Sequence, residues 1–159
     1  MRTRAVVALL AMLGVMVTSA TLPAQTQGPY DPNADAHRDI EAALRDARAD
    51  DKLVLLDFGA NWCLDCIVLD RLLQDQMVES FFKANFHVAH IDVGEWDRNL
   101  DISEQYDRPI DNGIPAVVVL SPKGDVIAST RDGALADART ATPQQILRYL
   151  QAWVSARHR

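Results

Sequence analysis

Cys63-Leu64-Asp65-Cys66 holds the only two cysteines of this chain, at a spacing short and fixed enough for redox or nucleophilic chemistry. Two thiols three positions apart can close a disulfide, and can open it again by exchanging two electrons with another thiol pair. A helix beginning at Cys63 would offer its unpaired N–H groups and its dipole to a thiolate, lowering the pKa of that sulfur and making it the attacking nucleophile. Cys66, one turn inside and shielded from solvent, would then resolve the mixed disulfide. Other uses of the pair fit less well. Zinc wants four ligands, and the remaining candidates are His37, His87, His90, His158 and scattered carboxylates. His87 and His90, three apart on a strand, face opposite sides. Haem attachment needs a histidine directly after the second cysteine, where Ile67 stands. A purely structural disulfide across so short a loop removes little entropy from the unfolded chain.

The elements that must hold the pair are legible on either side of it. Leu53-Val54-Leu55-Leu56-Asp57-Phe58 is a short apolar run with a β-branched member, the pattern of a parallel strand covered on both faces. Gly59-Ala60-Asn61-Trp62 turns the chain into the cysteines, and Ile67, Leu69, Leu72 and Leu73 continue at helical spacing. Upstream, Ile40, Ala43, Leu44 and Ala47 predict an amphipathic helix over 34–49. Downstream, a helical piece around Val78, Phe81 and Phe82, a strand over 86–93 and a short helix over 98–106 lead to a loop around 109–113. Residues 116–120 and 126–129 read as strands joined by the turn Ser121-Pro122-Lys123-Gly124-Asp125. Thr142, Pro143 and Gln145 compose a helix start with a capping box, before an inward stripe of Ile146, Leu150, Trp153 and Val154. Strands interleaved with helices, closing on an antiparallel hairpin, predict an α/β domain with a central mixed β-sheet flanked by helices.

Composition bounds the rest. A chain of 159 residues, 48% of them hydrophobic, can bury one core and leaves no room for two ordinary domains. Twenty-two acidic against 16 basic residues, with no cluster of Lys and Arg, argue against nucleic acid as a partner. Met1-Arg2-Thr3-Arg4, an apolar run over 5–17 and small residues up to Ala20 or Ala24 form the pattern of a secretory leader over 1–24, removed on export. That run is short of the roughly 20 residues that span a bilayer, so no stable membrane anchor is expected after cleavage. Loss of Arg2 and Arg4 takes the net charge from −6 to −8. Residues 25–33, polar and turn-rich, read as a flexible tether, which leaves 34–159 as the domain. Export also places the cysteines where disulfides persist.

The strand Leu55-Leu56-Asp57-Phe58, the run Trp62-Cys63-x-x-Cys66 and, about fifty residues on, Gly113-Ile114-Pro115-Ala116 opening a strand together resemble the thioredoxin family, over about 52–129. The resemblance implies a thioredoxin fold with an extra N-terminal helix. It looks most like the exported members that pass electrons between thiol pairs in the bacterial periplasm. By the same resemblance Asp57, six positions before Cys63, is the buried acid beneath the pair. A carboxyl in an apolar strand holds a proton more readily and can take one from Cys66 as it attacks, a role lost if Asp57 is an exposed strand end. Pro115 matches the family's cis-proline lying against the cysteines, with the backbone of Ile114 open to an extended substrate segment as an added strand. Trp62 matches a flat contact surface beside the sulfur, although a core role suits it as well.

The chain also departs from the family. Leu64-Asp65 stands where Gly-Pro is frequent, and a carboxylate at Asp65 should oppose ionisation of Cys63. A less stabilised thiolate favours the reducing end of the family's range, and Ile114 before Pro115 points the same way by resemblance, as it is usual in reducing members. Arg71 replaces a helix-kinking proline, so a straighter helix is expected, and residues 131–141 look like an insertion without an assigned role. His90 and Trp96 can reach the neighbourhood of the site, though core or surface packing accounts for each as well. The expectation is a periplasmic, monomeric thiol–disulfide oxidoreductase acting as a reductase or electron carrier, with no cofactor and no metal. Its partners would be protein thiols and disulfides, a membrane-bound thiol electron donor among the candidates. A disulfide oxidase or isomerase, or a non-catalytic module holding a partner through the Pro115 edge, are the alternatives.

Overall fold

A computed structural model describes residues 28–157; the expected leader over 1–24 and the first part of the expected tether lie outside the described residues. The elements follow in the order α1 (Ala36–Asp50), β1 (Leu53–Gly59), α2 (Leu64–Leu73), α3 (Glu79–Asn85), β2 (Phe86–Asp92), α4 (Leu100–Gln105), β3 (Ala116–Leu120), β4 (Val126–Ser129) and α5 (Pro143–Ala156). Short 3-10 turns occupy Pro109–Asn112 and Ala138–Thr140. The strands lie in the order β2-β1-β3-β4, with β1 parallel to β2 and antiparallel to β3, and β4 antiparallel to β3. The sheet is therefore mixed, with β1 inside it and an added helix, α1, ahead of it.

β1 is apolar along almost its whole length because both of its faces are covered, and all seven of its residues are buried. Its side chains alternate between two core layers. Val54, Leu56 and Phe58 pack with Ile40, Ala43 and Ala47 of α1, while Leu53 and Leu55 pack with Leu69 and Leu73 of α2 and Ile146, Leu150 and Trp153 of α5. Each such leucine contributes about 1.5–3 kcal/mol by leaving water. α1 starts where the Asp35 carboxylate accepts from the Arg38 N–H, and it stops at Asp51, whose backbone is left-handed. α5 starts on a reciprocal pair: the Thr142 side chain accepts from the Gln145 N–H, and the Gln145 side chain accepts from the Thr142 N–H. α4 is shorter than its pattern predicts because Asn99, at φ +52, cannot continue a right-handed helix backwards. α2 runs unbroken past Arg71. Among the described residues no helix is long and apolar enough to cross a membrane.

The expected tether is corrected over 28–33. Tyr30 has no exposed surface; its N–H donates to Asn61 Oδ1 at 3.2 Å, and its carbonyl accepts from Asn61 Nδ2 at 2.6 Å. Arg98 Nη1 donates to the Pro32 carbonyl at 2.8 Å. Side chains from elsewhere in the chain satisfy this segment, so it needs neither helix nor strand to be fixed. A polar, turn-rich composition does not reveal that kind of anchoring.

Candidate active site

β1 ends at Gly59, a short loop follows, and Cys63 is the N-cap of α2 with extended backbone, φ −80° and ψ 109°. The N–H of Cys66 donates to the Cys63 sulfur at 3.2 Å. The two cysteines are closed as a disulfide, their Cα atoms 5.3 Å apart. Cys63 keeps 6% of its surface exposed and Cys66 none. The Ile114 carbonyl oxygen lies 3.6 Å from the Cys63 sulfur, and the Ile114–Pro115 peptide, just ahead of β3, is cis. On reduction, the Cys63 sulfur would sit among the first unpaired N–H groups of α2, where negative charge is favoured. Cys63, Cys66, Ile114 and Pro115 are thus brought together by a helix start and a strand start.

Asp57 lies at 0% exposure in the middle of the sheet, not at an exposed strand end. Its Oδ2 accepts from the Tyr30 hydroxyl at 2.8 Å and faces His90 Nδ1 at 3.1 Å, across the β1–β2 register that pairs the two residues. Its Oδ1 is buried with no hydrogen-bond partner. Burial would push the His90 ring down, but the hydrogen bond and charge of Asp57 outweigh it, and the pKa of His90 is raised. Burial first, then the charge and hydrogen bond of Asp57, hold the Tyr30 phenol well above its ordinary value, so it remains a donor.

Asp65 requires a correction. Its carboxylate does not stand free beside Cys63: it accepts from Arg139 Nε at 2.9 Å, from Nη2 at 2.5 Å and from the Arg139 backbone N–H at 2.9 Å. Those bonds hold Asp65 below the usual carboxylate range in spite of its burial. Its charge is offset by a guanidinium, so the opposition to a Cys63 thiolate expected from the sequence is much reduced. The 3-10 turn Ala138–Thr140 supplies that partner, which gives the segment 131–141 a structural role at the start of α2. Trp62 is not a core residue. It is 51% exposed, donates from Nε1 to the Gly94 carbonyl at 2.8 Å and leans against the half-exposed Trp96 with ring centroids 6.1 Å apart.

Residue patterns on their own did not single out Tyr30, Asn61 or Arg139. Tyr30 carried one faint signal, a lone aromatic in a polar run; Arg139 carried none, because its partner is 74 positions away. His87 turns to Asp50 and His90 to Asp57, so the two histidines of β2 serve different acids.

The comparisons with known proteins agree with this geometry. Residues 35–122 match the family model described as thioredoxin-like. A thiol:disulfide interchange protein, DsbD 1 of Pseudomonas aeruginosa, is 34% identical over 65% of this chain, and DsbD of Pseudomonas fluorescens is 28% identical over 75%. The chain spans only 17% and 19% of those two proteins. Among solved structures, a disulphide isomerase from Xylella fastidiosa Temecula1 is 42% identical, with a TM-score of 0.77 over 80% of this chain and 97% of that one. A thioredoxin from Thermus thermophilus, at 21% identity and a TM-score of 0.55 over 74% of this chain and 85% of its own, shares the fold. With a mixed sheet, a cysteine pair at the start of α2 and a family model that covers more than half of its length, the chain belongs to the thioredoxin-like family.

Proposed function

We propose that the protein is a thiol–disulfide oxidoreductase whose Cys63–Cys66 pair exchanges electrons with thiols and disulfides of other proteins, working as a reductase or electron carrier after export to the periplasm. The observation that carries this reading is the position of Cys63: an N-cap whose sulfur already accepts the N–H of Cys66, with that second cysteine fully buried one turn deeper. The outer sulfur is favoured as an anion and the inner one is poised to displace a captured partner. Asp57, buried with one free oxygen, is the group able to take the proton from Cys66 as it attacks. The exposed face of Trp62, next to Cys63 in the chain, and the backbone of Ile114, whose carbonyl oxygen lies 3.6 Å from the Cys63 sulfur, would offer a client segment its contacts. Export is supported by the leader pattern over 1–24.

For the direction of transfer, Ile114 before Pro115 remains as support, while Asp65 no longer adds to it, being paired with Arg139. Equilibration with glutathione or dithiothreitol buffers tests the direction. A reductase titrates far below the value near −120 mV of strong oxidants, and a potential near that value overturns the assignment. An isomerase is the second reading, favoured by the 42% identity to the Xylella fastidiosa disulphide isomerase. Recovery of activity from a client with scrambled disulfides tests that one. Reduction of insulin and capture of clients by a Cys66→Ala variant separate both enzymes from a binding module, which would do neither.

A further inference from the structure

A buried carboxylate oxygen without a donor is costly, and folded proteins leave few such atoms except where chemistry uses them. Asp57 Oδ1 is that atom here, and what surrounds the other oxygen explains which of the two is free. Oδ2 accepts from the Tyr30 hydroxyl at 2.8 Å and faces His90 Nδ1 at 3.1 Å, so both neighbouring groups are gathered on one side of the carboxylate. The phenol is delivered by a strap ahead of α1, pinned by two hydrogen bonds between Tyr30 and Asn61, in the loop that leads to Cys63. The fold makes room for it: a side chain at Gly59 would collide with the Tyr30 ring, and one at Gly28 would meet Asn61 and, at 3.2 Å, Ile67 of α2. The strap therefore touches the strand that carries the acid, the loop that carries Trp62 and the helix that carries the cysteines.

We infer that Tyr30 is a positioning residue for the resolving step: with His90 it holds Asp57 by Oδ2, leaving Oδ1 as the atom that takes the proton from Cys66. This rests on the oxidoreductase reading given above. In the step itself, the Cys66 thiol gives its proton to Oδ1 and the Cys66 sulfur attacks Cys63 of the mixed disulfide. The Cys63–Cys66 bond forms, and the bond from Cys63 to the partner breaks. The partner leaves as a thiolate with two electrons, and Asp57 later returns its proton to solvent. The charged groups acting on this cluster are few. Asp57 and His90 face each other from β1 and β2, Asp70 of α2 acts on both Tyr30 and His90, and Asp92 at the end of β2 acts on Tyr30 and is paired with Arg98 at 3.3 Å. Hydrogen bonds to the charged form of a carboxylate favour that form, and the phenol supplies one of the two contacts on Oδ2.

The reaction of the reduced protein with Ellman's reagent, followed by stopped flow across a pH series, separates capture from resolution. The first nitrothiobenzoate released reports attack by Cys63, and the second reports displacement by Cys66. Tyr30→Phe keeps the ring and is expected to slow the second release about tenfold relative to the first, the scale of one lost hydrogen bond to a charged group. It should also move the acid limb of the second release to higher pH. In an Asp57→Asn background the same substitution should change neither. An unmoved acid limb, or an equal slowing in the Asp57→Asn background, overturns the inference. Where Tyr30→Phe does not fold, His90→Gln carries the same expected shift, and an unmoved limb there overturns it equally. A wild-type protein that never gives the second release removes the exchange couple itself, which is a different failure.

Discussion

His90 shows how a single residue near the cysteines links charge to stability. It is about a quarter exposed, and its ring is raised above the ordinary value of about 6.5 by Asp57. A raised pKa in the folded state means that the protonated ring adds stability in full below that ordinary value, and that the gain is lost as pH rises through the folded one. Wild type should therefore exceed His90→Gln in resistance to urea around pH 5–6, with the difference closing on the alkaline side. Denaturation curves at several pH values check this, and a difference that grows with pH contradicts it. At this scale much was legible. The spacing of Cys63 and Cys66 and the lone acid in an apolar strand announce themselves in the sequence. Two things were not. The exposure of Trp62 depends on Gly94 and Trp96, which come from another loop, and Tyr30 sits among residues whose types promise only turns.

At the scale of elements, the sequence shows where helices and strands lie because period and caps are local properties. What holds the start of α2 is not local. Asp65 is an acid in the first turn, where the helix dipole favours it, yet its partner comes from a 3-10 turn between β4 and α5. Segment 131–141 looked like an insertion for that reason, since irregular backbone has no periodicity to read. The pairing makes a prediction with the opposite pH sense to that of His90. The carboxyl of Asp65 is lowered on folding, so its contribution is present above the ordinary carboxylate value of about 3.9 and fades as pH falls through the folded one. The stability advantage of wild type over Asp65→Asn should be clear at neutral pH and shrink on acidification. An advantage that persists undiminished at pH 2 runs against the pairing. At the neighbouring element, Gly59→Ala should displace the Tyr30 ring and reproduce the kinetic signature of Tyr30→Phe, as seen in the second release with Ellman's reagent.

Across the whole molecule, one sheet separates two core layers, and the cysteine pair lies at the end of the strand that both layers share. The N-terminal strap belongs to that body: a chain beginning at Ala34 loses the fully buried Tyr30 and should be destabilised by about 3 kcal/mol or more, the scale of removing a buried aromatic. Equal urea midpoints for the two chains would return the strap to the status of a tether. Exchange by this pair depends on Cys63 differing from Cys66 and from an ordinary thiol. Alkylation of the reduced protein with iodoacetamide across pH, with the modified residue located by mass spectrometry, measures that difference most directly. The account predicts that Cys63 is modified first, with a midpoint well below the value near 8.5 of free cysteine, while Cys66 stays protected. A midpoint at the free-cysteine value, with both residues modified at the same rate, would contradict it.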